Sequence, residues 1–244
     1  PVGTTLFGMT GWQEYVIMDD TNQAVPDGID PTAALSVFGV TGMTAYFGLL
    51  DVGRPVEGET VLVSGAAGAT GSVVGQIAKL KGCRVVGLAG SDEKCAWLTD
   101  ELGFDVAINY KTENVADAIR AACPDGVDVF FDNVGGDILE AAIGNIALRG
   151  RIVLCGAIAQ YNDEVPRPGP NNLSTLISMR GRMEGFIILV FLDRAEEAIG
   201  DLVTWVLNGD IKYSVDVVEG LENAPTAMDR LFTGANTGKV MVKL

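Results

Sequence analysis

Short, continuously apolar runs alternate with stretches of helical spacing through the middle of the chain. Within these runs, apolar and polar residues do not alternate, which is typical of strands in a parallel sheet covered on both faces. Units of this length in alternation predict an α/β fold with a doubly wound parallel sheet. The predicted strands are residues 60–64, 84–89, 106–110, 127–132 and 151–156, and the predicted helices between them are residues 69–81, 91–102, 113–122 and 136–147.

A sixth strand is predicted within residues 182–188, and a helix over residues 193–207 follows it. We therefore assign residues 36–210 to one Rossmann-type domain. Between its fifth and sixth strands, residues 157–172 form a long stretch without regular pattern. Loops of this length beyond a sheet strand are more often functional than idle.

The two ends of the chain have a different pattern. Residues 11–18 (GWQEYVIM) alternate between apolar and polar positions and predict a short strand. We expect residues 1–35 and residues 211–244 to form one partial, β-rich second domain. The elements predicted in the C-terminal segment are strands within 211–218 and 239–244 and a helix over 222–232.

Composition excludes several classes of function. The chain has 244 residues, of which 48% are hydrophobic, and carries a net charge of −15. This charge argues against nucleic acid and against an anionic membrane surface as partners. The longest strongly apolar run, residues 185–192, is too short to span a bilayer. A soluble protein with a substantial core is therefore expected.

Histidine is absent from the sequence, which excludes a Ser-His-Asp triad, a histidine general base and any histidine-containing zinc site. The four cysteines form no C-x-x-C pair, so no metal site is predicted. Reduced cysteines in a cytoplasmic protein are the expected state.

A glycine-rich turn follows the first predicted strand. In VLVSGAAGATGSVVGQIAKLKG, the fingerprint G-x-G-x-x-G falls on Ala66, Gly68 and Gly71, with an extra glycine at Gly65. A strand before the turn and a helix after it are the context in which such a turn holds a pyrophosphate. The alternative is a turn that merely packs a helix on a strand. The alternating strand and helix units favour a nucleotide.

The tip of the second strand (LAGSDEK) bears on which nucleotide is bound. An NAD site usually has an acidic residue at this tip, but Gly90 and Ser91 stand there. Asp92 falls slightly late and is better placed as a helix N-cap. Lys94 is either a solvated surface residue or the charge partner of a 2′-phosphate. The second interpretation favours NADPH.

The sequence of this chain resembles that of a known enzyme family. The chain is similar to the zinc-independent medium-chain dehydrogenase/reductases, within the group of prostaglandin reductases, leukotriene B4 dehydrogenases, alkenal double-bond reductases and curcumin reductases. The resemblance extends over almost the whole chain. The motifs that carry it are the stretch from GMTAYFGLL to GSDEKCAWL, INYK, FDNVGG, CGAIAQYN, GLENAP and NTGK.

The resemblance implies a set of NADPH-binding residues. In the phosphate turn these are Gly68, Ala69, Thr70 and Gly71, and at the 2′-phosphate they are Lys94 and Tyr110. Around the nicotinamide half they are Asn133, Cys155, Gly156, Ala157, Ile158, Tyr161, Phe186, Ile187, Ile188 and Asn236. For the residues from Phe186 to Ile188, the alternative is plain core strand.

The activity implied is reduction of the C=C bond of α,β-unsaturated aldehydes and ketones. Hydride passes from NADPH to the β-carbon, and negative charge develops on the carbonyl oxygen. No metal is required, because the conjugated alkene is already an acceptor. Tyr161 is the candidate catalytic donor to that oxygen, and the alternative is a loop tyrosine that packs on the ribose. The alternative activities are a quinone oxidoreductase of the same superfamily and a non-catalytic NADPH-binding module.

Members of this family begin with a complete GroES-like substrate domain, of which this chain resembles only the end. Three interpretations stay open: a piece of an ordinary enzyme, a naturally short enzyme with an open site, and a binding module. Uncovered strands and apolar surface at the chain ends favour pairing with a second copy, so a homo-oligomer, most simply a dimer, is expected.

Overall fold

The structure, a computed structural model of the chain, describes residues 2–8, 10–19, 22–26 and 28–244. Pro1, Met9, Asp20, Thr21 and Asp27 lie outside the described residues. The strands are β1 (Leu6–Phe7), β2 (Gln23–Ala24), β3 (Thr60–Val63), β4 (Arg84–Ala89), β5 (Val106–Asn109), β6 (Val127–Asp132), β7 (Ile146–Leu154), β8 (Arg182–Gly185), β9 (Val215–Glu219) and β10 (Lys239–Lys243).

Helices connect these strands and cover both faces of the central sheet. They are α1 (Pro31–Leu35), α2 (Val40–Phe47), α3 (Gly71–Leu80), α4 (Asp92–Asp100), α5 (Val115–Ala122), α6 (Gly136–Gly144), α7 (Ser174–Ser178), α8 (Ala195–Leu207) and α9 (Ala224–Thr233). A π-helical turn, Gly48–Gly53, continues α2, and 3-10 turns lie at Ile158–Gln160, Ile188–Arg194 and Leu221–Asn223.

Six strands form one parallel sheet in the order β5-β4-β3-β6-β7-β8. The order reverses between β3 and β6, so the crossovers from these two strands leave toward opposite edges of the sheet. In such sheets a crevice opens beyond the carboxyl ends of the strands at this point. The predicted doubly wound α/β fold is confirmed.

Two apolar layers lie on the two faces of the sheet. Val61, Val63 and Phe131 belong to the layer that includes residues of α2, α3 and α8. Leu62 and Phe130 belong to the opposite layer, with residues of α5 and α6. Burial on both faces is the physical reason that these strands read as continuous apolar runs. Among the described residues, no helix is long and apolar enough to cross a bilayer.

Strand β7 begins earlier than the sequence pattern predicts, at Ile146, and the preceding helix ends at Gly144 rather than at residue 147. The Asn145 carbonyl accepts the N–H of Val127, the first residue of β6. This bond draws the chain into the sheet, where Ile146 and Ala147 are buried. The apolar spacing of these residues is compatible with a helix, so the pattern alone misassigned them.

The strand predicted over residues 11–18 is wrong, because the structure forms no strand there. Tyr15 and Ile17 are 87% and 95% exposed, so the apolar positions of this segment face no core among the described residues. A strand needs a hydrogen-bonded neighbour as well as an alternating pattern. At this end of the chain the only strand pair among the described residues is β1 with β2.

The interpretation of residues 186–188 as plain core strand is also wrong. Strand β8 ends at Gly185, and a 3-10 turn begins at Ile188. Phe186 packs edge-to-face against Phe131 and Phe191, while Ile187 is 56% exposed.

At the C-terminal end, β9 and β10 form a separate parallel pair. The domain boundaries at residues 36 and 211 stay a prediction.

We predict that Gly75→Ala lowers the free energy of unfolding by about 1–3 kcal/mol, because overpacking a core costs that amount. A Cβ at Gly75 in α3 would overlap the ring of Phe104. Urea unfolding measures the change. The matched control is Gly200→Ala in α8, where a Cβ would meet nothing within 4 Å; it should raise stability by about 0.5–1 kcal/mol. An undiminished stability of Gly75→Ala would contradict the packing argument.

Candidate functional site

A cleft of about 560 Å³ opens at the carboxyl ends of the strands, at the point where the strand order reverses. Residues from the ends of β3, β4, β5 and β6 line it, together with residues from the segment that leads into β10. The lining residues are Thr41, Gly65, Ala67, Gly68, Ala69, Thr70, Gly71, Ala89, Gly90, Lys94, Tyr110, Asn133, Val134, Ile158, Ala159, Leu231, Phe232, Gly234, Asn236, Gly238, Lys239 and Val240.

The charge of this lining is opposite to that of the chain. Lys94 and Lys239 line the cleft, whereas none of the lining residues is an aspartate or a glutamate. The whole sequence carries 32 acidic residues and a net charge of −15. The cleft is therefore a local cationic site in an acidic protein, which suits an anionic ligand.

The glycine-rich turn forms one wall of the cleft and leads directly into α3. Gly65 adopts a positive φ of 58°. A Cβ at Gly71 would overlap the carbonyl oxygen of Gly65 and would lie 2.9 Å from Cα of Ala66. Only glycine allows this close packing of the helix on the strand. No side chain caps the N-terminus of α3. The carbonyls of Gly68 and Thr70 accept the N–H groups of Ser72 and Val73, so a phosphate would be held by the N–H groups of the turn that precedes them.

At the tip of β4, Tyr110 and Lys111 lie over Gly90, and Lys94 lines the same cleft. A Cβ at Gly90 would lie 2.7 Å from Oη of Tyr110 and 3.2 Å from Cε of Lys111. Lys94 is partly buried, and its Nζ donates to the carbonyl of Gly234 at 2.8 Å. Burial and the positive charge of Lys111 lower the pKa of Lys94 below its usual value. Lys94 is therefore not a freely solvated surface lysine.

The interpretation of Asp92 as the helix N-cap is wrong. Ser91 is the cap of α4, since its hydroxyl accepts the N–H of Lys94 at 3.3 Å. Asp92 is the first helical residue, and its carboxylate accepts a hydrogen bond from the side chain of Asn109 at 2.6 Å. This bond from the end of β5 draws the carboxylate away from the cap position.

A buried network fixes the loop after β6. The hydroxyl of Ser64 donates to Oδ1 of Asp132 at 2.7 Å and accepts the N–H of Asn133 at 2.8 Å. The side-chain amide of Asn133 donates to the carbonyl of Ser64 at 2.7 Å. Burial raises the pKa of Asp132, although the Gly135 N–H, the Ser64 hydroxyl and the Val134 N–H all donate to it. Asn133 is thus held rigidly in the cleft wall.

The loop after β7 carries the candidate donor Tyr161. Its side chain is 62% exposed, and its hydroxyl accepts the N–H of Ala157 at 3.0 Å. A Cβ at Gly156 would lie 3.2 Å from this hydroxyl oxygen. Because the oxygen is the acceptor in the bond to Ala157, the hydroxyl hydrogen stays available for another partner. Burial raises the pKa of the neighbouring Cys155 thiol to about 12, so this cysteine is a poor nucleophile.

The cleft brings together only part of the predicted set. Gly68, Ala69, Thr70, Gly71, Lys94, Tyr110, Asn133, Ile158 and Asn236 line it. The remaining predicted residues, which lie on the β7 loop and beyond β8, are outside its lining: Cys155, Gly156, Ala157, Tyr161, Phe186, Ile187 and Ile188. Their role in binding stays a prediction.

Sequence reasoning did not identify several residues of this region, among them two lysines. Lys111 and Lys239 both had a signal, because they lie in the motifs INYK and NTGK. Thr41 and Phe232 reach the cleft from α2 and α9, and nothing in the local pattern marks them. Among the described residues, no group of three His, Cys, Asp or Glu side chains is arranged to hold a metal ion.

Comparisons with known proteins agree with this architecture. A family model described as zinc-binding dehydrogenase matches residues 69–204. Prostaglandin reductase 1 of Rattus norvegicus is 47% identical over 100% of this chain and 76% of its own length. The NADP(+)-dependent 2-alkenal reductase of Nicotiana tabacum is 45% identical over 98% of this chain and 71% of its own length.

A solved structure is also similar. The crystal structure of CurA from Vibrio vulnificus in complex with NADPH has a TM-score of 0.92 and 43% identity, and the match covers 98% of this chain and 73% of that one. The zinc in the name of the family model does not fit this chain, which has neither histidine nor a described group of metal ligands.

We predict that Gly71→Ala weakens NADPH binding by about tenfold or more, equivalent to about 1.4 kcal/mol, because the added methyl group displaces the Gly65 carbonyl and opens the phosphate turn. Titration of protein fluorescence with NADPH measures the affinity. Gly200→Ala, remote in α8, serves as the control and should bind normally. Unchanged affinity of the Gly71 variant would mean that this turn does not hold the ligand.

Proposed function

This chain belongs to the medium-chain dehydrogenase/reductase family, in the zinc-independent group of prostaglandin reductase 1 and 2-alkenal reductase, and we propose that it is an NADPH-dependent reductase of the C=C bond of α,β-unsaturated aldehydes and ketones. The observation that carries the proposal is the cationic cleft at the reversal of strand order. It joins a glycine-rich turn to two lysines and excludes carboxylates from its lining.

The lack of an acid at the tip of β4 favours NADPH over NADH. A carboxylate there would hydrogen-bond the ribose 2′-OH of NADH and repel the 2′-phosphate of NADPH. In this chain Gly90 occupies the tip, and Tyr110 and Lys111 lie over it. Lys94 and Tyr110 would hold the 2′-phosphate, with Lys111 adding to the local positive charge.

The remaining cofactor contacts follow the course of the cleft. The turn Gly68–Gly71 and the uncapped N-terminus of α3 would hold the pyrophosphate. Asn133, fixed by Ser64, would contact the nicotinamide half. Ile158 would pack beside the nicotinamide ribose, and Asn236 would close the cleft from the side of β10. Phe186, Ile187 and Ile188 would lie at the substrate end.

When bound, NADPH supplies the hydride that adds to the β-carbon of the substrate. The protein contributes orientation of the two reactants and a hydrogen-bond donor to the carbonyl oxygen, where negative charge develops. Tyr161 is the proposed donor. Its oxygen accepts the Ala157 N–H, and its hydrogen is not used in that bond. This chemistry needs neither a metal nor a histidine.

The direct test is oxidation of NADPH, followed by its absorbance, against a panel of enals, enones and quinones. We expect turnover of enals and enones and identification of the product as the saturated carbonyl compound. Turnover of quinones without enones would assign the chain to the quinone oxidoreductases of the superfamily. Tight NADPH binding without turnover of any of them would identify a binding module.

We further propose that the protein is a cytoplasmic dimer. The four cysteines are unpaired in the structure, which is typical of a reducing compartment. Exposed apolar side chains follow the edge strand β8, namely Ile187, Leu189 and Val190. An uncovered edge beside an apolar surface favours pairing with a second copy. Light-scattering mass in solution tests this, and a monomer at micromolar concentration would refute it.

We predict that Lys94→Ala removes most of the preference for NADPH over NADH. A charge-assisted contact to a phosphate is worth about 1.5–3 kcal/mol, which corresponds to about a ten- to hundredfold change in affinity. Calorimetry with both dinucleotides measures the ratio, and NADH is the internal control, since its affinity should change little. Equal affinity of the unmodified protein for NADH and NADPH would eliminate Lys94 as a determinant.

We predict that Tyr161→Phe lowers kcat by about 10²–10³, the usual cost of one lost donor to an oxyanion, with little change in NADPH affinity. Gly156→Ala should also lower kcat, because its methyl group would crowd the Asn133 carbonyl at 3.1 Å and the Tyr161 hydroxyl at 3.2 Å. Steady-state kinetics with a saturating enone measures both. Tyr15→Phe is the matched control, because Tyr15 is 87% exposed outside the cleft. A Tyr161→Phe variant with full turnover would reduce Tyr161 to a packing residue.

A further inference from the structure

The cleft contains a second lysine for which the cofactor contacts above give no role. Lys239 is the first residue of β10 and lines the cleft, where it is partly buried. Lys94 lies in the first turn of α4 and also lines the cleft. The two cations therefore come from different elements of the fold, α4 and β10.

Backbone contacts fix Lys239 beside the phosphate turn. Gly68 and Gly238 form a parallel β-bridge, in which the Gly238 N–H donates to the carbonyl of Ala67 at 2.8 Å. The next N–H, that of Lys239, donates to the carbonyl of Ser214 at 2.9 Å. Lys239 therefore follows directly on the residue that touches the turn.

The backbone conformation of Gly238 restricts this position to glycine and so fixes the pairing of Gly238 with Gly68. It has a φ of 70°, and a Cβ there would overlap the carbonyl of Ser214. The buried side chain of Asn236 donates to the Gly238 carbonyl at 3.0 Å. The segment before β10 is thus locked against the turn, and it presents the Lys239 side chain to the cleft.

Lys239 has no hydrogen-bonding or ion-pair partner for its ammonium group among the described residues. In contrast, Lys79 pairs with Asp105, Lys243 pairs with Glu219, and Lys94 donates to Gly234. Burial alone lowers the pKa of Lys239. Partial removal of an unpaired cation from water carries a cost, and an anionic ligand in the cleft would compensate it.

We propose that Lys239 is the cation that binds the pyrophosphate of the dinucleotide, a role distinct from that of Lys94 at the 2′-phosphate; this inference rests on the proposed function. The pyrophosphate carries two negative charges, whereas a helix N-terminus supplies only about half a positive charge. Lysine binds phosphate as a point charge, and Lys239 lies next to the residue that bridges the turn.

The experiment compares binding of NADPH and NADH to four proteins by calorimetry: the unmodified chain, Lys239→Met, Lys94→Ala and Lys243→Met. Both dinucleotides contain the pyrophosphate, but only NADPH contains the 2′-phosphate. Lys239→Met should weaken both by the same factor, about ten- to hundredfold, and leave their ratio unchanged. Lys94→Ala should weaken NADPH alone. Lys243→Met, at the other end of β10, should bind both normally.

Melting temperature of the free protein separates this role from a structural one. Because Lys239 has no described partner, Lys239→Met should leave the melting temperature unchanged or raise it while it weakens binding. Lys239→Arg should retain most of the affinity, because it keeps the charge. A variant that melts lower and binds both dinucleotides less well would assign Lys239 to the stability of β10 and overturn the proposal.

Two further results would also overturn it. A loss confined to NADPH would move Lys239 to the 2′-phosphate, and unchanged binding of both dinucleotides would remove it from the site. Failure of the proposed function has a different signature. In that case the unmodified chain binds neither dinucleotide or reduces no enone, whereas failure of this inference alone leaves NADPH binding and enone turnover of the unmodified chain intact.

Discussion

The buried carboxylate of Asp132 is the interaction on which the architecture of the cleft depends. It accepts the hydroxyl of Ser64 after β3 and the N–H groups of Val134 and Gly135 after β6. Its backbone carbonyl accepts the N–H groups of Cys155 and Gly156 after β7, at 2.9 and 3.1 Å. One residue thus joins the carboxyl ends of three strands. A buried carboxylate left without its donors would be strongly destabilising, so the loops after β3 and β6 are fixed together, and the Asp132 carbonyl ties the loop after β7 to them.

The net charge of the chain is negative, whereas the charge of the cleft lining is positive. A net charge of −15 repels polyanions at long range, whereas the cleft lining has lysines and no carboxylates. At physiological salt, screening removes most of the repulsion between exposed charges that are more than about 8–10 Å apart. A small phosphorylated ligand therefore meets a cationic surface once it enters the cleft. Global acidity and a phosphate-binding site are compatible for this reason.

The sequence predicted the features that are set by local pattern. Buried strands such as β4 and β6 were predicted with the bounds that the structure has, because burial on both faces leaves continuous apolar runs. The start of β7 was missed, since a hydrogen bond from the distant Val127 decides it. The strand over residues 11–18 was wrong, because alternation alone says nothing about a partner.

The same distinction applies to the candidate site. The glycine-rich turn and the tip of β4 are contiguous stretches, so their residues were found together. Lys239 was not, because the Gly68–Gly238 bridge that brings it to the turn joins residues 170 positions apart in the sequence (238 − 68 = 170). Long-range pairing of this kind leaves only a short motif, NTGK, whose glycine allows the positive φ of Gly238.

The position of Tyr161 follows from the same residue, Asp132, that anchors the loops after β3 and β6. Asp132 fixes Cys155 and Gly156 through its carbonyl, and the absence of a side chain on Gly156 lets the Tyr161 hydroxyl approach the Ala157 N–H. Tyr161, the proposed donor to the substrate, and Asn133, the proposed contact to the nicotinamide half, are therefore both positioned by the buried residue Asp132. Hydride transfer requires donor and acceptor carbons to be held within a few tenths of an ångström of a productive geometry, and a shared buried anchor in the sheet provides that constraint where two independent loops would not.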